Sequence, residues 1–123
     1  MIAFLRDYKS ITRPFLIVAP LTTLGNWMKE FSKWLPKCRV IKLNARKEER
    51  IEIIDKYLKS GKFDVILTSY EGLKIAINPL SHFNYKYLVI DEAHILKNEN
   101  TILSKVLRTI NCEHKLLLTG TPL

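Results

Sequence analysis

Two adjacent acids, Asp91 and Glu92, directly follow an apolar run from Tyr87 to Ile90. A run that stops this abruptly is typical of a buried strand, so the backbone would fix the acids where the strand ends. An acid in that place can hold Mg²⁺ through water, and the metal can bridge the phosphates of a nucleotide. The second acid points differently and can orient or deprotonate an attacking water. Standing alone, such a pair is more often a solvated helix N-terminus.

Five short apolar runs predict the strands that would position these acids. They occupy 15–19, 40–43, 65–67, 88–90 and 116–118, and their lack of polar alternation is typical of strands buried on both faces of a sheet. Apolar residues at intervals of three and four predict helices over 24–34, 51–58 and 102–110. In the first helix this spacing favours core packing of Trp27, Phe31 and Trp34 over a base-stacking platform. Thr22 or Thr23 is the expected N-cap of the first helix, and Gly61 is expected to close the second. This alternation predicts an α/β fold, a parallel sheet with helices on both faces.

Polar side chains follow the predicted strands at the edge where ligands collect in such sheets. These segments are 19–23, 68–71, 91–94 and 119–122, and they carry hydroxyls, acids, a histidine and a glycine. His94 is placed to hydrogen-bond across to a neighbouring strand end, where the hydroxyls of Thr119 and Thr121 are the expected partners. Such a link could sense whether a γ-phosphate is present. The segment 82–86 is interpreted as an ordinary surface connection.

Composition narrows the class of protein. The 123 residues are 47% hydrophobic and 26% charged, which favours a folded chain over a disordered one, and no apolar run is long enough to span a membrane. The N-terminus lacks the pattern of a signal peptide, and the two distant cysteines, Cys38 and Cys112, are interpreted as reduced thiols of an intracellular protein. The net charge of +8 fits a polyanionic partner such as nucleic acid, although many small domains are simply basic.

Several segments in combination resemble the first RecA-like lobe of superfamily 2 helicases, specifically of the Swi/Snf-family chromatin-remodelling ATPases. The segment "FLIVAPLTTLGNWMKEFSKWLP" resembles motif Ia, "VILTSYE" motif Ib, "YLVIDEAHILKN" motif II with its Asp-Glu-Ala-His box, and "LLLTGTPL" motif III. The sequences "NWMKEFSKW" and "NYKYLVIDEAH" are most similar to those of the imitation-switch branch. The resemblance covers roughly Ile2 to Leu123, so residues 1–123 are interpreted as part of the ATP-binding lobe.

The resemblance implies roles for individual residues. Asp91 would bind Mg²⁺ through water and Glu92 would be the catalytic base, with ATP and Mg²⁺ as cofactors. His94 would join Thr119, Gly120 and Thr121 in coupling hydrolysis to movement of the lobes. The residues implied in DNA binding are Pro20, Thr22, Thr23, Thr68, Ser69, Tyr70, Lys97 and Asn98. Ile95 stands where the family usually has Arg, which puts one polar contact of the motif II loop in doubt.

The Gly-Lys-Thr phosphate loop of the family does not occur in these residues. The expected fold is therefore a RecA-like sheet without its phosphate-loop strand, and the chain alone is expected neither to bind ATP well nor to hydrolyse it. The missing strand would leave the backbone edge of residues 115–118 unpaired. We expect this edge, or an N-terminal helix over 2–8, to pack against a second copy of the chain.

The implied parent function is ATP-driven translocation on double-stranded DNA that remodels nucleosomes in the nucleus, together with a second RecA-like lobe of the same protein. No membrane partner is expected. One alternative is another superfamily 2 motor, either an RNA helicase of the Asp-Glu-Ala-His type or a restriction translocase. The wording of motif III argues against the RNA helicase, because helicases of that type typically carry Ser-Ala-Thr there. A second alternative is a non-catalytic DNA-binding scaffold domain.

Overall fold

The computed structural model describes residues 14–43, 47–61, 63–92 and 101–118. Its strands are β1 (Phe15–Val18), β2 (Val40–Leu43), β3 (Val65–Thr68), β4 (Asn84–Ile90) and β5 (Asn111–Leu117). Its helices are α1 (Leu24–Trp34), α2 (Lys47–Ile53), α3 (Tyr70–Ile75), α4 (Ile77–Leu80) and α5 (Thr101–Arg108). A short 3₁₀ turn, Leu21–Thr23, precedes α1, and α2 continues as a π-helical segment, Ile54–Leu58.

The five strands form one parallel sheet in the order β2-β3-β1-β4-β5. Val18, the last residue of the central strand β1, lies opposite Thr68 of β3 and Ile90 of β4. The carboxyl ends of these three strands are therefore flush. The predicted α/β fold is confirmed, and the polar segments after β1, β3 and β4 begin at one edge of the sheet.

Helices cover both faces of the sheet. Phe15 and Ile17 of β1 pack with Trp27 and Phe31 of α1 on one face. Leu16 and Val18 belong to a second buried cluster on the other face, which also includes residues of α3, α4 and α5. Successive side chains of β1 point to opposite faces of the sheet, as in any strand. Because both faces are covered by helices, every position of β1 is apolar.

The connection predicted over 82–86 is wrong, because β4 already begins at Asn84. Tyr85 is completely buried, and its hydroxyl donates a hydrogen bond to the Leu80 carbonyl at 2.6 Å. Polar and apolar residues alternate at the start of this strand, which is typical of a half-buried strand rather than of a loop. Strand β5 also begins earlier than the predicted run 116–118, at Asn111. The sequence thus predicts the starts of both β4 and β5 too late.

Strand β5 is also more exposed than the apolar run at 116–118 predicts. Leu117 is 57% exposed, and β4 is the only neighbour of β5 among the described strands. An ion pair between Lys86 and Glu113, with 2.6 Å between nitrogen and oxygen, links these two strands. A strand at the edge of a sheet lacks the cover on its outer side that a central strand has.

The helices follow the predicted periodicity with exceptions. Helix α1 buries Leu24, Trp27 and Phe31, but Trp34 in its last turn is 60% exposed, so its predicted place in the core is wrong. Gly61 has φ +71°, the left-handed conformation expected of a residue that closes a helix. Helices α3 and α4 were not predicted. No helix in the described part of the chain has the length and hydropathy to cross a membrane.

Candidate functional site

Asp91 occupies the first position after β4, at the flush edge of the sheet. Its backbone N–H donates to the Val18 carbonyl at 2.8 Å, which extends the ladder between β1 and β4 by one bond. The residue is only 5% exposed. The sheet therefore fixes this backbone as the sequence predicts, and it also buries the carboxylate.

Among the described residues, each carboxylate oxygen of Asp91 accepts one hydrogen bond. The indole Nε1 of Trp27 donates to Oδ2 at 3.0 Å, and the backbone N–H of Glu92 donates to Oδ1 at 2.9 Å. A carboxylate oxygen can accept about two hydrogen bonds, so these two bonds leave each oxygen able to accept another from water, including a metal-bound water. The two donors also hold the plane of the carboxyl group in one orientation.

The backbone at Glu92 has a positive φ of 58°. This left-handed conformation is uncommon for a residue with a long side chain, and it usually persists only where surrounding contacts enforce it. The hydroxyl of Tyr70 supplies such a contact, since it donates to the Asp91 carbonyl and lies 3.4 Å from the Glu92 carbonyl oxygen. The turn that presents the two acids is thus held from the side of α3.

Tyr70 remains a hydrogen-bond donor over the whole physiological range of pH. Burial, and then the negative charges of Asp91 and Glu92, raise the pKa of its hydroxyl to about 12. The phenol therefore keeps its proton beside the two acids, where a phenolate would be repelled.

The polar residues Thr68 and Ser69, at the end of β3 and directly after it, stabilise the start of α3. Ser69 caps the helix, with its Oγ accepting the Gly72 N–H at 2.9 Å, and Thr68 donates its hydroxyl to the Leu43 carbonyl at 2.8 Å. Both side chains are buried. In this conformation any part they have in DNA binding would be indirect, through the placement of Tyr70 and α3.

The segment after β1 is more open. Thr22 is exposed, whereas Pro20 and Thr23 are half-buried. Thr23 donates its hydroxyl to the Pro20 carbonyl at 2.9 Å, which stabilises the turn just before α1. Thr23 is the residue before α1, as predicted, but its side chain makes no capping hydrogen bond to the helix.

The described residues bring together eight of the predicted positions at one edge of the sheet. Asp91 and Glu92 lie beside Tyr70, and the segments that hold Pro20, Thr22, Thr23, Thr68 and Ser69 leave the neighbouring strands. His94, Lys97, Asn98, Thr119, Gly120 and Thr121 lie outside the described residues. Their predicted roles stay predictions.

The donor set at Asp91 fits Mg²⁺ better than a softer metal. In the part of the chain that is described, no three His, Cys, Asp or Glu side chains come together as a cation site. Mg²⁺ commonly uses one or two carboxylates and completes its shell with water and phosphate oxygens. Asp91, with acceptor capacity left on both oxygens, suits that role.

Sequence reasoning missed two contacts of the site. Trp27 was assigned to the core from its helical spacing, and it is indeed 1% exposed, but its indole N–H reaches Asp91. A buried Trp almost always finds a partner for that N–H, which was the available signal. Tyr70 was predicted to approach DNA, and its contact with the backbone of Asp91 had no sequence signal.

Comparison with known proteins agrees with this geometry. The family model described as "SNF2-related domain" matches residues 1–123. A probable chromatin-remodeling complex ATPase chain of Oryza sativa is 44% identical over 123 residues, and the ISWI chromatin-remodeling complex ATPase ISW1 of Saccharomyces cerevisiae is 44% identical over 122 residues. The match covers 100% and 99% of this chain, respectively. It spans only 11% of the length of each relative.

A solved structure shares the fold. The SWI2/SNF2 ATPase core of Sulfolobus solfataricus, determined in complex with double-stranded DNA, superposes with a TM-score of 0.80 at 35% sequence identity. The match covers 98% of this chain and 24% of that one. The described sheet is therefore a RecA-like arrangement of the superfamily 2 type, and the chain belongs to the SNF2-related domain family.

Proposed function

We propose that this chain is part of the first RecA-like lobe of an ATP-dependent translocase that moves on double-stranded DNA and remodels nucleosomes in the nucleus. The observation that carries the proposal is the turn at Asp91 and Glu92, held by Trp27, Tyr70 and the β1 backbone at the ligand-binding edge of the sheet. The relatives named above are chromatin-remodelling ATPases. These names support ATP as the substrate and chromatin as the setting.

In this proposal, the chemical step is attack of water on the γ-phosphate of ATP. Bound Mg²⁺ would neutralise charge on the phosphates, and Asp91 would hold it through water. Glu92 would orient the attacking water and take its proton. His94 would hydrogen-bond to the segment Thr119, Gly120 and Thr121. Through this link, loss of the γ-phosphate would change the contact between this lobe and its partner lobe.

DNA would be tracked along the same edge of the sheet. Thr22 is exposed beside Pro20 and Thr23, and Lys97 and Asn98 would follow the acids toward the phosphate backbone. The net charge of +8 supports a polyanionic partner. Contacts of this kind read the backbone and not the bases, so binding would be independent of sequence and sensitive to salt.

The exposed edge of β5 suggests where the rest of the ATP site would join. We infer that a phosphate-loop strand pairs with β5 in the complete motor, and that a second RecA-like lobe closes over the site. In the chain taken alone, the same edge would pair with β5 of a second copy. The 57% exposure of Leu117 and the lack of a second strand neighbour among the described residues support both inferences.

The alternatives make different predictions for ATP hydrolysis by the complete protein. We expect double-stranded DNA to stimulate hydrolysis, and double-stranded RNA of the same length to have little effect. Stimulation by RNA would favour a helicase of the RNA type. A complete protein that binds DNA and hydrolyses no ATP under any of these conditions would favour the scaffold, and it would overturn the proposal.

A further inference from the structure

The hydrogen bond between Trp27 and Asp91 joins two distant parts of the chain. Trp27 lies in the first turn of α1, Asp91 lies 64 residues further on, and the Nε1–Oδ2 distance is 3.0 Å. Both residues are buried, with 1% and 5% of their surfaces exposed. A hydrogen bond to a charged acceptor in a buried setting is among the stronger bonds that a neutral donor can make.

The indole is not free to turn away from the carboxylate. Its ring packs against Phe31, with 6.2 Å between ring centroids, inside the cluster on the α1 face of the sheet. That cluster also contains Phe15, Ile17, Leu24, Val65, Leu67 and Val89. Because close-packed side chains hold single rotamers, the direction of the Trp27 N–H is fixed by the core.

The other tryptophan of the chain makes the same kind of bond away from the site. Trp34 donates through Nε1 to Oε2 of Glu30 at 2.7 Å, and this pair is exposed on the same helix. A comparison of the two tryptophans therefore distinguishes the effect of an indole–carboxylate hydrogen bond in general from the effect of this bond at the site. Only at Trp27 is the acceptor a carboxylate at the carboxyl end of a strand, β4.

We propose that Trp27 is a positioning residue for the metal-binding acid Asp91. Its N–H donates to Oδ2 and the Glu92 N–H donates to Oδ1, so the carboxyl group is held in one orientation before any ligand binds. Donors that orient a metal-binding group in this way typically strengthen metal binding. The inference rests on the proposed function, in which Asp91 holds Mg²⁺.

The same contact links the predicted DNA segment to the metal site. Helix α1 follows directly after the turn that contains Thr22 and Thr23, and Trp27 is the fourth residue of that helix. A displacement of α1 by DNA would therefore move the donor that orients Asp91.

The test uses the complete motor protein, and its main variant replaces only the N–H. In Trp27→β-(3-benzothienyl)alanine a sulfur atom stands in place of the N–H and the shape of the ring is kept; Trp27→Phe is a second variant made by ordinary mutagenesis. Affinity for Mn²⁺ in the presence of ADP is measured by electron paramagnetic resonance of the free ion. The Mg²⁺ dependence of kcat and the KM for ATP are measured in parallel, and thermal unfolding confirms that each variant is folded.

We expect the benzothienyl variant to lose roughly tenfold or more in Mn²⁺ affinity, to need correspondingly more Mg²⁺ for turnover, and to keep its KM for ATP at saturating Mg²⁺. Trp34→Phe is the matched control and should leave all three values unchanged. Wild-type Mn²⁺ affinity in a folded benzothienyl variant would overturn the positioning role while leaving the proposed function intact. A wild-type protein that neither binds Mn²⁺ with ADP nor hydrolyses ATP would overturn both.

Discussion

Tyr70 and Trp27 act on one turn from opposite sides of the site. Trp27 holds the carboxylate of Asp91, and Tyr70 holds its carbonyl. Neither contact involves a charged partner apart from Asp91 itself, so the turn depends on neutral donors that keep their protons. Loss of one donor should therefore loosen the acids without altering the net charge of the site.

For Tyr70→Phe we expect a loss of stability of about 1 kcal/mol, because the Asp91 carbonyl loses a donor and the ring remains. Urea unfolding of this chain measures the effect. Tyr57→Phe is the matched control, since Tyr57 is 39% exposed and lies in the π-helical segment away from the acids. Equal stability of wild type and Tyr70→Phe would show that the hydroxyl does not hold the turn.

The buried tyrosines predict how stability changes in alkaline solution. Burial raises the pKa of Tyr85 above its usual value near 10, and burial raises the pKa of Tyr70 to about 12. In both cases the folded state keeps the proton that the unfolded state loses. The stabilisation from this difference is therefore fully present below about pH 10 and decreases as the pH rises above it.

Unfolding free energies measured between pH 8 and 11 test this sign. We expect a decrease above about pH 10 in the wild type, and a smaller decrease in Tyr85→Phe, which has one fewer group to ionise in the unfolded state. Tyr85→Phe should also be less stable at neutral pH, because the Leu80 carbonyl loses its partner. A variant with the same alkaline slope as the wild type would contradict the burial of Tyr85.

The tight junction between β3 and α3 holds Tyr70 in place. Gly72 of α3 is buried against the end of β2 and β3, and a Cβ there would lie 2.9 Å from the Leu43 carbonyl oxygen and 3.3 Å from Oγ of Ser69, with Oγ1 of Thr68 closer still. Only a residue without a side chain fits without displacing backbone or a capping hydroxyl. The close approach brings the first residue of α3 to the Asp91 turn.

We expect Gly72→Ala to reduce stability by about 1–3 kcal/mol, because the added methyl group overpacks the junction. Gly25→Ala is the matched control: Gly25 lies in α1 with nothing within 4 Å of an added Cβ, so the change should be neutral or stabilising by up to about 1 kcal/mol. Chemical denaturation compares the two variants. Similar effects from both would refute the close contact at Gly72.

The elements differ in how far their sequences predicted them. Helix α1 and strands β1 and β3 were predictable because their apolar residues follow one period and are buried accordingly. Helices α3 and α4 are six and four residues long, too short for a period of 3.6 to show, and they depend on the Ser69 cap and on packing. The exposure of Trp34 and β5 depends on what lies across from them, which local sequence does not encode.

The site was predictable in the same uneven way. The strand-end rule and the resemblance together located Asp91, Glu92 and Tyr70 at one edge of the sheet. The rule could not pair Trp27 with Asp91, since their approach depends on how α1 packs on β1 and β4. Contacts of this kind between side chains that are distant in the chain follow from the tertiary fold alone.

We expect the isolated chain to self-associate through the edge of β5. Its backbone and the exposed Leu117 would be covered together in an antiparallel or parallel pairing with a second copy. Light scattering over a dilution series should show a dimer that dissociates in Leu117→Lys. Ile51→Lys, which changes an exposed apolar residue on α2, is the control and should remain dimeric. A constant monomer mass at high concentration would contradict the prediction.

We propose that the turn at Asp91 and Glu92 performs ATP hydrolysis in a motor stimulated by DNA. The most direct measurement is turnover of ATP by the complete protein carrying Glu92→Gln, with double-stranded DNA present and with ATP binding measured in parallel. Glu52→Gln, an exposed acid on α2, is the matched control. We expect Glu92→Gln to bind ATP nearly as the wild type does and to lose turnover by a factor on the order of 10²–10⁴, since the shape remains and the base is gone. DNA-stimulated hydrolysis at close to the wild-type rate in that variant would contradict the role proposed for Glu92.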